Sequence, residues 1–383
     1  MLGRTILASL TPHPMFADRL NKMQPSGIRR IFELAATIED PINLSIGQAH
    51  FDPPEVLVEA ACRAIRAGHN RYTVTQGLPE LNERIIAQES QRYGHSPEAS
   101  LVTSGVSGGI LLSFLALLDA GDEILLPDPG FMMYAQLAQL CGATVKYYNL
   151  YPEWRIDPSE IEALTNDATK VIFLNSPSNP TGGVLDSGAV AAVAQIAARS
   201  GAYIISDEIY DAFVYDQELA SPVGQHERVL RLSGFSKTYG IPGWRLGYAT
   251  GPASLLDVMK TLQQFSFVCA PAPFQVAVAE VAFDLDMSDQ IAAYKGKRDR
   301  LVAALPPAYE LVAPGGSFYA FPKLPPEVSE TDFIDAALAN KLLVVPGSAF
   351  SRRDSHFRIS FAASDEDLGR GIRTLGEILG QMT

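Results

Sequence analysis

Between Arg231 and Tyr248 the chain reads RLSGFSKTYGIPGWRLGY, and Lys237 stands there just beyond a short apolar strand, Val229 to Leu232. The turn after it passes Gly240, Pro242 and Gly243 and reaches a tryptophan and Arg245. A chain displays a reactive amine in this way. A lysine that forms a Schiff base must be partly desolvated, so that its amine is not permanently protonated, and must sit near a cation that lowers its pKa further. Arg245 is placed in sequence to be that cation or to anchor a phosphate; the alternative is a surface Lys and Arg flanking a Gly/Pro loop. A second candidate is Asp207, at the end of the apolar run that begins AYIISD at Ala202. An acid leaving the carboxyl end of a buried strand is costly to place without a cationic partner. The third is LVTSG, Leu101 to Gly105, a strand entering a glycine-rich helix start. Free N–H groups and the helix dipole make Gly105, Val106 and Ser107 an anion site, although any tight strand-to-helix turn uses glycine.

These groups all follow short apolar strands, and such strands alternate with helical segments through the middle of the chain. That alternation predicts an α/β domain with a mainly parallel sheet and chemistry gathered at the strand carboxyl ends. The strands are read in LVTSG, in EILLPDPGFMMY (Glu123 to Tyr134), in KVIFLNSPSNPTGGVL (Lys170 to Leu185) and in AYIISD. Helices are read after Gly105, in the alanine-rich run Gly188 to Ala202, and in Phe274 to Phe283 and Asp289 to Leu305. From Asp18 to Glu39 a further helical pattern puts Ile28, Ile31, Phe32, Ala35 and Ala36 on one face. The 383 residues suffice for two to three domain-sized units, and 47% hydrophobic against 19% charged residues fits a globular protein. Thirty basic against 43 acidic residues give a net charge of −13, which argues against nucleic-acid or anionic-membrane partners. Cys62, Cys141 and Cys269 are odd in number and lack a C-x-x-C, so neither a disulfide framework nor a thiolate metal site is expected. Reduced thiols, a start too weakly apolar for a signal peptide, and a longest apolar run (Ile110 to Leu118) too short for a bilayer together predict a cytoplasmic protein.

SGFSK followed by GWRLGY resembles the cofactor-lysine signature of the class I/II aminotransferases, pyridoxal phosphate (PLP) enzymes of fold type I. Further stations resemble the family in family order, from about residue 42 to 364. INLSIGQAHFDPP (Ile42 to Pro54) resembles the element whose glycine, here Gly47, lies against the substrate carboxylate; Ala49 and His50 stand where the family usually has Pro and Asp. NRYTVTQGLPELNERI (Asn70 to Ile85) resembles the region whose tyrosine, here Tyr72, reaches the cofactor phosphate of the partner subunit, which implies a homodimer. By the same resemblance Gly105, Val106, Ser107 and Arg245 hold the phosphate and Phe131 covers the pyridine face. Asn179 of the NPTG run bonds the phenolic O3′ and borders the substrate. Asp207 pairs with the protonated pyridine nitrogen, and Tyr210 donates to O3′. Arg358, in HFRISFAAS, would pair two-to-two with the substrate α-carboxylate; a structural ion pair is the alternative. Gly234 departs from the pattern, occupying a position where some members carry a phosphate-binding serine, so Ser233 or Ser236 is expected to take that contact, Ser236 by preference.

The resemblance implies a large PLP-binding domain of about residues 49–287 with helices on both faces of its sheet, and a smaller α+β domain of 1–48 plus 288–383. It implies a ping-pong aminotransferase with Lys237, Asp207 and Tyr210 as catalytic groups, an L-amino acid as donor and a 2-oxo acid such as 2-oxoglutarate as acceptor. No metal is expected. The resemblance places no second arginine against a side-chain carboxylate, which, with Phe16, His50 and Phe267 as pocket neighbours, favours a neutral or aromatic donor. Aspartate-type specificity and a carbon–sulfur β-lyase on the same scaffold remain alternatives. A non-catalytic ligand sensor would need a DNA-binding module, for which the chain has no basic segment.

Overall fold

The computed structural model describes residues 17–23 and 38–382. Among them the strands, in chain order, are β1 (Ile42–Asn43), β2 (Ala99–Ser104), β3 (Glu123–Asp128), β4 (Thr144–Asn149), β5 (Thr169–Asn175) and β6 (Tyr203–Asp207). They continue as β7 (Val229–Gly234), β8 (Leu246–Gly251), β9 (Tyr319–Ala320), β10 (Leu342–Leu343), β11 (Val345–Pro346) and β12 (Phe357–Ser360). Seven form one sheet in the order β2-β8-β7-β6-β5-β3-β4. The pairs from β7 through β4 are parallel, whereas β8 is antiparallel to both β7 and β2.

A strand buried on both faces must be apolar at every position. β5 meets that condition from Val171 to Leu174 by sending alternate residues into two cores. Val171 and Phe173 join Ile110 and Phe114 of the helix Gly105–Leu117, while Ile172 and Leu174 join Val190 and Val193 of the helix Ser187–Ser200. The carboxyl ends of the parallel strands therefore share one edge. Because β8 runs the other way, its first residues lie at that edge too: Leu246 opposite Ser104 and Gly247 opposite Gly234. The loop carrying Lys237 and Arg245 thus opens beside Gly105.

The remaining strands make two small sheets, β11-β12-β9 antiparallel and β1-β10 parallel. β1 lies beside β10, and Leu44 O then accepts from Ser360 N just beyond Arg358. That register lays residues 45–47 across the end of the large sheet. The strand expected from Glu123 to Tyr134 ends instead at Asp128; Pro129 and Gly130 break it, and Tyr134 belongs to the helix Met133–Leu140. Asp18–Lys22 is a short 3₁₀ helix, and the helical face from Ile28 to Ala36, like Phe16, lies outside the described residues. No helix among the described residues is long and apolar enough to cross a membrane.

Candidate active site

At the carboxyl edge of the large sheet lies a cavity of about 320 Å³. Its lining includes Lys237, Asp207, Tyr210, Asn179, Phe131, Val106, Ser107, Ser236, Arg245, Arg358 and Gly47. Residues from seven separate stretches of sequence meet here because parallel strands end together and the small sheets close over them. Lys237 Nζ donates to Gly47 O at 2.7 Å and faces the Tyr210 ring at 5.8 Å. Burial, then the positive charges of Arg358 and Arg245, lower its pKa from 10.5 to about 8; Asp207 acts the other way. The cation expected to depress the lysine is thus Arg358 before Arg245.

Asp207 is buried at the end of β6, where Tyr134 Oη donates to its Oδ2 at 2.8 Å and Ile209 N donates to Oδ1 at 3.2 Å. Burial raises its pKa to about 6 despite those bonds. Asn175 Nδ2 donates to the Asp207 carbonyl at 3.0 Å while its Oδ1 accepts from Asn179 N at 3.0 Å, tying β6 to the NPTG turn.

Among the described residues two arginines, Arg231 and Arg358, are fully buried, and they contrast. Arg231 is surrounded by Glu89, Glu208 and Asp211. Arg358 has no carboxylate partner among the described residues: Nη1 donates to Asn179 Oδ1 at 2.9 Å, Nη2 to Ser45 O at 2.7 Å, and Nε is unpaired. An arginine only donates, so Asn179 must turn its oxygen to Arg358 and leave its amide NH₂ as the other polar group. The structural ion pair weighed for Arg358 is therefore Arg231's arrangement, not Arg358's.

The other end of the cavity suits an anion. Gly105 starts the helix with φ +66°, and a Cβ there would lie 2.8 Å from Arg245 Nη2. A Cβ on Gly247 would lie 2.6 Å from Val106 N, so two glycines let β8, the helix start and the guanidinium converge. Among the described residues Arg245 bonds only carbonyl oxygens, Pro242 O at 3.0 Å and Ser104 O at 3.5 Å. Ser236 lines this cavity, whereas Ser233 points to the opposite side, toward Glu208 O and Asp211. At Gly234 a Cβ would lie 2.8 Å from Gly247 Cα, which explains why a serine is missing there. A phosphorylated pyridine aldehyde fits this donor set: helix N–H groups and Arg245 at one end, a buried carboxylate without a cation for the ring nitrogen, and an amine of lowered pKa.

Some expected groups lie elsewhere. Tyr72 does not line the cavity; it is 84% exposed, beside Cys269 and Pro271. His50 is outside the lining and exposed, its N–H donating to Tyr294 Oη at 2.6 Å, and Phe267 packs near Gly108. Sequence reasoning missed Tyr134 because the stretch was read as strand, and the Pro129-Gly130 pair was the available signal. It also missed Tyr319, whose hydroxyl lies 3.0 Å from that of Tyr210. Nothing local marks that residue beyond an aromatic in GGSFYAFP. Among the described residues no cluster of three or more His, Cys, Asp or Glu is placed to hold a metal ion.

Residues 39–375 match the family model described as Aminotransferase class I and II. A probable aspartate aminotransferase of Methanocaldococcus jannaschii is 34% identical over 375 residues, covering 95% of this chain and 100% of its own. Aromatic-amino-acid aminotransferase 2 of Thermococcus litoralis is 31% identical, covering 95% and 98%. Among solved structures, aspartate aminotransferase from Thermus thermophilus with maleate superposes with a TM-score of 0.92 at 29% identity, over 96% of this chain and 100% of that one.

Proposed function

The chain belongs to the family of class I and II aminotransferases, and on that premise we propose that it moves the amino group of an L-amino acid to a 2-oxo acid such as 2-oxoglutarate. The two half-reactions alternate on one pyridoxal 5′-phosphate, in ping-pong order. One observation carries the reading. A single cavity holds a lysine, an aspartate and an arginine, and none of the three is in an ion pair among the described residues. Uncompensated burial of ionised groups is costly, and a site retains it where a ligand completes the charges.

When bound, the cofactor supplies a carbonyl carbon that condenses with amines and a ring that takes up charge from the adjacent Cα. Gly105, Val106, Ser107, Ser236 and Arg245 hold its phosphate, Phe131 covers its ring, and Asp207 keeps its nitrogen protonated. Asn179 and Tyr210 donate to its phenolic oxygen. Arg358 clamps the substrate α-carboxylate beside Gly47. Lys237 Nζ would be the base that takes the proton from the substrate Cα and holds it for return. Residues 49–287 form the cofactor-binding part and 1–48 with 288–383 the smaller part. Two copies pair, so that Tyr72 of the partner subunit completes the phosphate site.

A neutral or aromatic donor is favoured, because Lys237, Arg245 and Arg358 are the only Lys or Arg lining the cavity among the described residues, and Ile46, Ile110 and Met133 line it as well. The test is an absorbance spectrum of the protein with PLP while L-amino acids, aspartate included, are added without an oxo acid. Conversion to the aminated cofactor by neutral or aromatic donors is expected. Conversion by aspartate alone would overturn the donor class, and pyruvate release without conversion would overturn transamination in favour of elimination.

A further inference from the structure

We propose that Tyr319 is a positioning residue that joins the carboxylate end of the cavity to its lysine end; this rests on the functional reading above and deepens it. Tyr319 belongs to β9, beside β12 and hence beside Arg358, and its side chain is buried yet lines the cavity.

Its ring acts on Arg358. The guanidinium carbon lies 4.4 Å from the Tyr319 ring centre and 4.8 Å from that of Phe350. A guanidinium held against two aromatic faces, with its two terminal nitrogens already bonded, cannot rotate out of plane. A carboxylate then meets a preset fork and binding carries little ordering cost.

Its hydroxyl acts on Tyr210, 3.0 Å away. When Tyr319 donates, the Tyr210 proton is left to point into the cavity, and the donated bond strengthens Tyr210 as a donor in turn. Burial holds both phenols above their usual pKa, so both keep their protons at neutral pH. The hydroxyl also fits a built slot: a Cβ on Gly47 would lie 2.7 Å from it, and the same Gly47 offers its carbonyl to Lys237. A phenylalanine would fill the core equally well, so the hydroxyl has a purpose only through Tyr210.

The test compares Tyr319→Phe with Tyr319→Leu. The phenylalanine variant keeps the ring, so KM and the dissociation constant for propionate should stay within about twofold, while loss of one neutral hydrogen bond lowers kcat about three- to tenfold. Weaker donation by Tyr210 leaves the cofactor's phenolic oxygen more basic, so the pH at which the bound cofactor's visible absorbance changes should rise. The leucine variant loses the ring as well, and propionate binding should weaken about tenfold, with KM following. A phenylalanine variant with unchanged kcat and unchanged absorbance titration would overturn the hydroxyl's role. Propionate binding as tight in the leucine variant as in wild type would overturn the ring's role, and a uniform loss of both constants in both variants would make the residue merely structural. Propionate binding is read on the cofactor-free chain. A protein that takes up no PLP therefore refutes the functional reading while this arm still decides whether the ring holds Arg358.

Discussion

Replacing Arg358 by lysine keeps the charge and removes the fork. In the structure Nη1 reaches Asn179 Oδ1 at 2.9 Å and Nη2 reaches Ser45 O at 2.7 Å, so both ends of the guanidinium are anchored while its outer hydrogens stay available. An ammonium places three donors on one atom, which cannot serve both anchors and also bind a carboxylate twice. One charge-assisted bond to the substrate is lost, a difference of about 1.5–3 kcal/mol. That corresponds to a rise in KM of about 10- to 150-fold, or an equal weakening of propionate as an inhibitor. One buried acceptor, on Asn179 or Ser45, also loses its donor, at about 1–3 kcal/mol of stability. Half-transamination followed by absorbance separates the constants, and thermal melting reads the stability. The control is Arg231→Met, which leaves Glu89 and Glu208 buried without their cation and Asp211 with Arg92 alone. That variant should lose about 3–5 kcal/mol of stability with KM unchanged in the molecules that fold. A KM for Arg358→Lys within about threefold of wild type, or a KM for Arg231→Met that rises as steeply, would refute the distinction drawn between the two arginines.

Four other outcomes are expected. Lys237→Ala should bind PLP yet turn over at least about 10²-fold more slowly, since no other amine among the described residues lines the cavity to move the Cα proton, and near-normal kcat would exclude the assignment. The rate of cofactor uptake by the cofactor-free chain should climb with pH through about 8, where the amine of Lys237 deprotonates, instead of near 10.5. Arg358→Met removes a positive neighbour and should move that midpoint upward; a midpoint unmoved would mean that burial acts alone. Tyr134→Phe takes a donor from Asp207, whose pKa should climb further above about 6 and leave less carboxylate at neutral pH, so equilibrium dialysis should show PLP held about tenfold more weakly. Gly47→Ala would press a methyl against the Tyr319 hydroxyl at 2.7 Å, and calorimetry should find about 1–3 kcal/mol less stability with weaker propionate binding.

The groups legible in the sequence share one property: their signals are local. Lys237 announces itself by the strand before it and the Gly/Pro turn after it, Asp207 by ending an apolar strand, and Gly105 to Ser107 by a glycine-rich helix start. Such signals depend on residues a few positions apart, and so did the alternation of strand and helix that implied a mainly parallel sheet. Register and strand parity decided what local signals left open. Ser233, inside β7, faces Glu208 and Asp211, whereas Ser236, past the strand end, enters the cavity. Tyr134 escaped because the punctuation at Pro129 and Gly130 was passed over and a strand was carried into a helix.

The partnerships that make these groups a site were set by tertiary structure. Lys237 meets Gly47 across 190 residues, Tyr210 meets Tyr319 across 109, and Arg358 meets Ser45 across 313. In sequence Arg231 and Arg358 look alike, each an arginine in an apolar strand. Burial makes both costly, and the surroundings decide the remedy: three carboxylates from the chain for Arg231, and for Arg358 a cavity open to a carboxylate from outside. Which strands end side by side determines what each buried charge can reach, and that is a property of the assembled sheets that no short stretch of the chain contains.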